Sequence, residues 1–149
     1  MDTNVMKSSL RKCLDAALLP AATIIVIASI LQAIAVFMPS AADFLVLPVL
    51  IIDLIILAWA GYRAAKMQGM DFSGGVVTGA IAGVISGLVD GIINAVLTVL
   101  GVTGANTATD GTLVLAVAII LAIIASLLIG AVGGAVCGAV GARIAGMKK

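Results

Sequence analysis

Four long apolar segments limit what this chain can fold into. A helix needs about 20 mostly apolar residues to cross the ~30 Å hydrocarbon core of a bilayer. The segments that meet this requirement are residues 18–38, 45–62, 75–100 and 113–142. Hydrophobic residues make up 63% of the chain and charged residues only 10%, against about 25% charge in soluble domains. The sequence therefore predicts one all-α integral membrane domain over 1–149, with four transmembrane helices in two antiparallel hairpins.

The basic residues predict the orientation of these helices. All eight lie before the first segment, between the second and third, or after the fourth: Lys7, Arg11, Lys12, Arg63, Lys66, Arg143, Lys148 and Lys149. Cytoplasmic loops of membrane proteins carry the excess of Lys and Arg, so we expect both termini in the cytoplasm, with a prokaryotic plasma membrane as the setting. Residues 1–17 are predicted to be a cytoplasmic N-terminal segment, a solvated tail rather than a helix on the membrane surface.

Local signals predict where the helices begin and end. Residues 39–43 are expected to form a turn between the first two helices, with Pro48 in the first turn of the second, where its missing N–H costs little. Asp71 and Ser73 are candidate N-caps of the third helix. The fourth segment is longer than a simple span, so it must tilt, protrude, or bend near the glycine pair at 133–134.

Glycine recurs at every fourth position in two segments: Gly75, Gly79, Gly83, Gly87 and Gly91 in the third, and Gly130, Gly134 and Gly138 in the fourth. Residues four apart share one face of a helix, and small residues let lipid-embedded helices approach closely. The spacing predicts glycine-zipper packing of helices three and four on each other, or of each on a copy in an oligomer. It resembles the spacing in small glycine-rich four-span prokaryotic proteins and in mitochondrial inner-membrane translocase subunits. That resemblance implies no catalytic or ligand residues.

A line of polar side chains lies one position before the glycines of the third segment. At four-residue spacing it reads Thr78, Ala82, Ser86, Asp90, Asn94 and Thr98, and five of these six side chains are polar. Polar groups that face lipid are costly, so this line predicts a protein interior or a water-filled path.

Two further polar residues interrupt the other apolar segments, Gln32 in the first and Asp53 in the second. Counted from the outer helix ends at 1.5 Å per residue, Gln32, Asp53 and Asp90 all lie roughly 10–14 Å deep. No basic residue lies at that depth. The carboxylates are therefore either protonated and hydrogen-bonded to Gln32 or Asn94, or they face water, a cation, or a basic group of another subunit. The candidate ion or polar-network site is Gln32, Asp53, Ser86, Asp90 and Asn94.

Other chemistry is not indicated by the sequence. There is no histidine, and Cys13 and Cys137 are too far apart for a CxxC motif. Motifs for nucleotide, serine-hydrolase or zinc-protease chemistry are also missing. We expect no enzymatic activity, no cofactor and no metal site. A net charge of +1 gives no reason to expect a nucleic-acid partner.

One short similarity occurs within the chain. GYRAAKM at 61–67 and GARIAGM at 141–147 share Gly, Arg, Ala and Met at matching places. Duplication of a helical hairpin, as in some transporters, and chance are both open as explanations.

Together these features favour a structural, assembly or accessory subunit of a membrane complex or homo-oligomer, with lipid and other membrane subunits as its partners. The short loops and the extensive packing surface support this expectation. The alternative is a small proton or cation channel or transporter that uses Asp53 and Asp90.

Overall fold

The computed structural model describes residues 3–100 and 112–146, and these form four α-helices. The helices are α1 (Thr3–Phe37), α2 (Pro39–Met67), α3 (Phe72–Val99) and α4 (Thr112–Gly146). Each is long and apolar enough to cross a membrane. The prediction of an all-helical protein with four membrane-length apolar helices is confirmed, as expected for an integral membrane protein. Lys148 and Lys149, which contributed to the predicted orientation, lie outside the described residues.

Helix α1 begins well before the apolar segment that predicted it. Residues 3–17, expected to be a solvated tail, continue without a break into the first span. Cys13, Ala16 and Ala17 are buried, and the Cys13 thiol lies 3.8 Å from the sulfur of Met70, beyond the end of α2. Arg11 and Lys12, just before these small residues, are exposed, whereas the small residues form a packing face.

Helix α2 also begins earlier than expected, at Pro39, where the sequence predicted a turn. Met38 is the one non-helical residue between α1 and α2. Proline at a first helical position gives up no hydrogen bond, because the N–H groups of the first turn have no acceptor within the helix. Pro48, to which this argument was applied, lies inside α2 instead.

The connection from α2 to α3 is a tight turn. Gly69 has a φ of 63°, the left-handed conformation that favours glycine just after a helix C-cap. Asp71 is the N-cap of α3, as predicted, and its carboxylate accepts hydrogen bonds from the Gly74 N–H at 2.9 Å and from the Ser73 hydroxyl at 2.8 Å. These two bonds, the Gly74 amide first, hold the pKa of Asp71 below its usual value.

Helices α3 and α4 pack backbone against backbone. A Cβ atom on Gly83 would overlap the carbonyl oxygen of Gly130, and a Cβ on Gly130 would overlap that of Gly83. Gly79 and Gly134 face each other in the same reciprocal way. Because higher numbers in α3 meet lower numbers in α4, the two helices are antiparallel. The same close approach holds for all eight glycines of the two predicted stripes, because each has an atom of a neighbouring helix within 4 Å of the position that a Cβ would take.

Helix α2 crosses α4 at similarly short range. A Cβ on Gly61 would overlap the Gly138 carbonyl, and a Cβ on Gly141 would overlap the Ala58 carbonyl. Gly138 also lies against Gly75 and Gly79 of α3, so three helices meet there. Helix α1 packs on α2 and α3, and it makes no contact with α4 within the described ranges.

The core lies between α1, α2 and α3. Its buried members are mostly alanine with a few larger side chains: Ala17, Ala21, Ile24, Ile56, Leu57, Ala60 and Ala82. Helix α4 contributes glycines to the packing, and its large side chains, such as Leu128 and Val132, point outward and are exposed. The outer surface of α4 is therefore a broad apolar face.

Alanine substitutions at two glycines of different surroundings should have opposite effects on stability. Gly83→Ala inserts a methyl group against a backbone carbonyl, and overpacking of roughly 1–3 kcal/mol should outweigh a gain in helix propensity of about 1 kcal/mol. Gly133→Ala meets nothing within 4 Å, so the gain is unopposed. The free energy of unfolding in detergent micelles, followed by fluorescence of the single Trp59, should fall for Gly83→Ala and hold or rise for Gly133→Ala. Equal effects at both sites would contradict this packing.

The Asp71 cap should make stability depend on pH at the acid end. Its pKa is lowered in the folded state, so its contribution is complete above the unfolded value of about 3.9 and is lost as pH falls through the lower folded value. Asp71→Asn keeps a good N-cap without the charge. The stability advantage of the wild type over Asp71→Asn, measured by thermal unfolding, should therefore shrink below about pH 4. Ser73→Ala removes one of the two hydrogen bonds to the Asp71 carboxylate, so the stability of this variant should depend less on pH. A stability difference between the wild type and Asp71→Asn that stays constant from pH 6 to pH 3 would refute the role of Asp71.

Candidate functional site

A cavity of about 600 Å³ lies between the four helices, and every helix contributes to its wall. Most of the wall is hydrocarbon, with large side chains such as Ile24 of α1, Leu57 of α2, Ile93 of α3 and Ile129 of α4. A space of this size and polarity is typical of a small-molecule site, in which an apolar wall surrounds a few polar groups.

The position of the cavity follows from the crossing of α2 and α4. These helices touch where Gly61 meets Gly138 and where Ala58 meets Gly141. The residues of both helices that line the cavity come before that crossing, within 49–57 of α2 and 126–133 of α4. Two helices that meet at backbone distance and cross at an angle diverge away from the crossing, so the glycine contacts leave this space between them.

Gln32, Asp53 and Asp90 converge on this cavity from three different helices. The Gln32 side-chain nitrogen donates a hydrogen bond to Asp90 Oδ1 at 2.5 Å, which joins α1 to α3. Asp53 of α2 lines the same cavity as Asp90. The sequence placed these three residues at one depth, and the structure places them at one site.

Two oxygens of this group have no donor. Gln32 Oε1 and Asp53 Oδ1 are both buried, and neither has a hydrogen-bond partner among the described residues. A buried acceptor without a donor costs about 1–3 kcal/mol, and more when it is charged. The protein thus supplies acceptors here in excess of donors, which suits the site to a proton or a positively charged group.

The rest of the polar line on α3 is satisfied locally. Asn94 is exposed, and its side chain donates to the backbone carbonyl of Asp90 at 3.0 Å, not to the carboxylate. Ser86 lines the cavity but donates to Gly83 O at 3.1 Å. Thr78 is fully buried and donates to the Gly74 carbonyl at 2.8 Å. Hydroxyl and amide groups on a helix often bond the preceding turn in this way, so polar spacing alone did not identify which residues meet another helix.

Ser126 of α4 also lines the cavity and was missed by the sequence reasoning. Its hydroxyl donates to the Ile123 carbonyl at 2.9 Å. It lies four residues before Gly130, on the same line of small residues, and it is the only hydroxyl between residues 113 and 142. An extension of the glycine series by one step toward the N-terminus would have found it.

A metal centre is not indicated at this site. Within residues 3–100 and 112–146, no group of three or more His, Cys, Asp or Glu side chains could hold a metal ion. The two carboxylates are too few for a hard divalent cation, which takes six or more oxygen ligands, or keeps several waters.

Comparison with known proteins does not identify a family. The chain matches no protein family model, and no curated protein or solved structure is significantly similar to it. The interpretation of the site therefore depends on the geometry of its own residues.

The Gln32–Asp90 bond should couple α1 to α3 energetically. In a double-mutant cycle of Gln32→Ala and Asp90→Ala, we expect a coupling energy of about 0.6–2 kcal/mol in the free energy of unfolding in mixed micelles, the range known for hydrogen bonds between membrane helices. The matched cycle of Gln32→Ala with Asn94→Ala should give a coupling near zero, because Asn94 bonds its own helix. Equal coupling in both cycles would contradict a direct bond.

Proposed function

We propose that this protein is a small channel or transporter that binds a cation, a proton included, at Asp53 and Asp90 inside the membrane and moves it across. The convergence of Gln32, Asp53 and Asp90 on one cavity carries the proposal. Ionisable groups within membrane segments are expensive, and they commonly mark ion pathways and proton relays. Acceptors that outnumber donors at the site add to this support.

A structural or accessory subunit, which the sequence alone favoured, is the second candidate. The exposed apolar face of α4 supports it, since lipid, a second copy or another membrane subunit would cover such a face. The glycines weigh against it. Their contacts fit glycine-zipper packing of α3 on α4 within one chain, so neither of the two predicted stripes is left to hold a partner. We therefore rank the transport function first.

We further propose that both termini lie in the cytoplasm, in a prokaryotic plasma membrane. A recess lined by Lys66 of α2 and Arg143 of α4 supports a common side for these basic residues. The contact of Cys13 with Met70 brings the basic N-terminal part of α1 toward the same end of the bundle. One positively charged end is what the cytoplasmic side of a membrane protein carries.

Ion flux in proteoliposomes tests the proposed function. Purified protein should carry protons, Na⁺ or K⁺ down an imposed gradient, measured with an internal indicator dye for each ion. Asp90→Asn should reduce the flux by roughly tenfold or more, because it removes a charge that the cation needs and leaves the side-chain shape unchanged.

Asp15→Asn is the matched control for this measurement, because it removes an exposed carboxylate of α1 that does not line the cavity. It should leave the flux unchanged. A null result for all three ions would reject the transport of protons and inorganic cations and favour the structural role.

A further inference from the structure

We propose that the cavity is a binding site for an amphipathic organic cation, whose positive group lies between Asp53 and Asp90 and whose hydrocarbon part lies against the apolar wall. This inference rests on the proposed function and names the class of substrate. It follows from the size of the cavity, the sign of its charge and its access to the lipid.

The size of the cavity favours a molecule over a bare ion. Binding sites for small organic molecules measure roughly 300–1,000 Å³, and this cavity measures about 600 Å³. Besides Gln32 and the two carboxylates, the wall offers the hydroxyls of Ser86 and Ser126, and these already donate to their own helices. A dehydrated inorganic cation would have few ligands here, and a hydrated one would lie against hydrocarbon.

The charge of the cavity selects a cation. Asp53 and Asp90 line it, and no Lys or Arg is among the lining residues. The buried acceptors Asp53 Oδ1 and Gln32 Oε1 lack donors in the described part of the protein, and a positive group beside them would stabilise them with or without N–H donors. A carboxylate attracts a positive charge more strongly beside an apolar wall than in water, so a cation satisfies this site better than a neutral molecule.

The wall of the cavity reaches the lipid-facing surface. Leu50 and Leu54 of α2 and Ile129 of α4 line the cavity, and 54%, 41% and 72% of their side chains are exposed. A substrate could therefore enter sideways from the bilayer. Amphipathic cations collect in membranes through their apolar part, so this route would suit them and not a hydrated inorganic ion.

Binding of tetraphenylphosphonium to the purified protein tests the inference. We expect saturable binding in detergent micelles by equilibrium dialysis, with affinity reduced roughly tenfold or more in Asp53→Asn and in Asp90→Asn. Tetraphenylborate, which has a similar size and shape with the opposite charge, should not compete for the site. Binding is measured in place of uptake because tetraphenylphosphonium crosses lipid without a carrier.

Three variants separate a direct role of the carboxylates from loss of fold. Asp53→Glu keeps the charge and should retain binding, whereas Asp15→Asn removes a carboxylate elsewhere and should bind as the wild type does. Ala28→Trp fills the cavity while both carboxylates remain, and it should lose binding. Circular dichroism and size-exclusion chromatography check that each variant is folded.

The outcomes distinguish this inference from the proposed function. Ion flux that depends on Asp90, without binding of tetraphenylphosphonium, would overturn the organic-cation site and leave the transport function intact. Charge-selective binding that depends on Asp53, without flux of any tested ion, would support the site and reject inorganic ion transport. Equal binding of tetraphenylphosphonium and tetraphenylborate by all variants would show partition into micelles and overturn the inference.

Discussion

Close contact between glycine backbones on α3 and α4 determines the rest of this structure. In a bilayer, apolar side chains gain little from leaving lipid for protein, so helices associate through close packing and polar bonds. At the pairs Gly83–Gly130 and Gly79–Gly134 the two backbones lie so close that a Cβ on either glycine would overlap the facing carbonyl oxygen. Weak C–H···O contacts recur between helices that approach this closely. Gly138 extends the contact to α2. Three helices are thus fixed at one junction, and the direction of each one away from it sets the space between them.

This junction also explains how α3 tolerates a carboxylate. Asp90 is the residue before Gly91, and neighbouring residues lie about 100° apart around a helix. The glycine side of α3 faces α4, and the adjacent side presents Asp90 to Gln32 of α1. Contact with α4 on one side and α1 on the next withdraws the carboxylate from lipid, which would otherwise make it costly. The same arrangement aims it into the cavity.

Sequence reasoning succeeded for features that depend only on the length of an apolar segment or on the number of residues along one helix. Helix number followed from apolar length. Residue counting along each helix grouped Gln32, Asp53 and Asp90, and all three line the cavity. It failed for features that depend on the rotation of a helix about its axis or on packing against a neighbouring helix. The start of α1 depends on Ala16 and Ala17 packing inside the protein, which charge counting does not detect. Asn94 and Asp90 both fit the four-residue spacing of polar side chains on α3. Which of the two meets Gln32 depends on how α1 and α3 are rotated about their axes, and the sequence does not give that rotation.

The crossing of α2 and α4 relates the short internal similarity to the cavity. Gly61 contacts Gly138 and Ala58 contacts Gly141, and a shift of eighty residues exchanges these two contacts. The crossing is therefore nearly two-fold symmetric, with the same offset that aligns 61–67 with 141–147. The symmetry does not extend to the remaining helices, because α2 touches α3 while α1 and α4 do not touch within the described residues. Both α1 and α4 nevertheless line the cavity, so it occupies the place where a symmetric bundle would have a contact between α1 and α4.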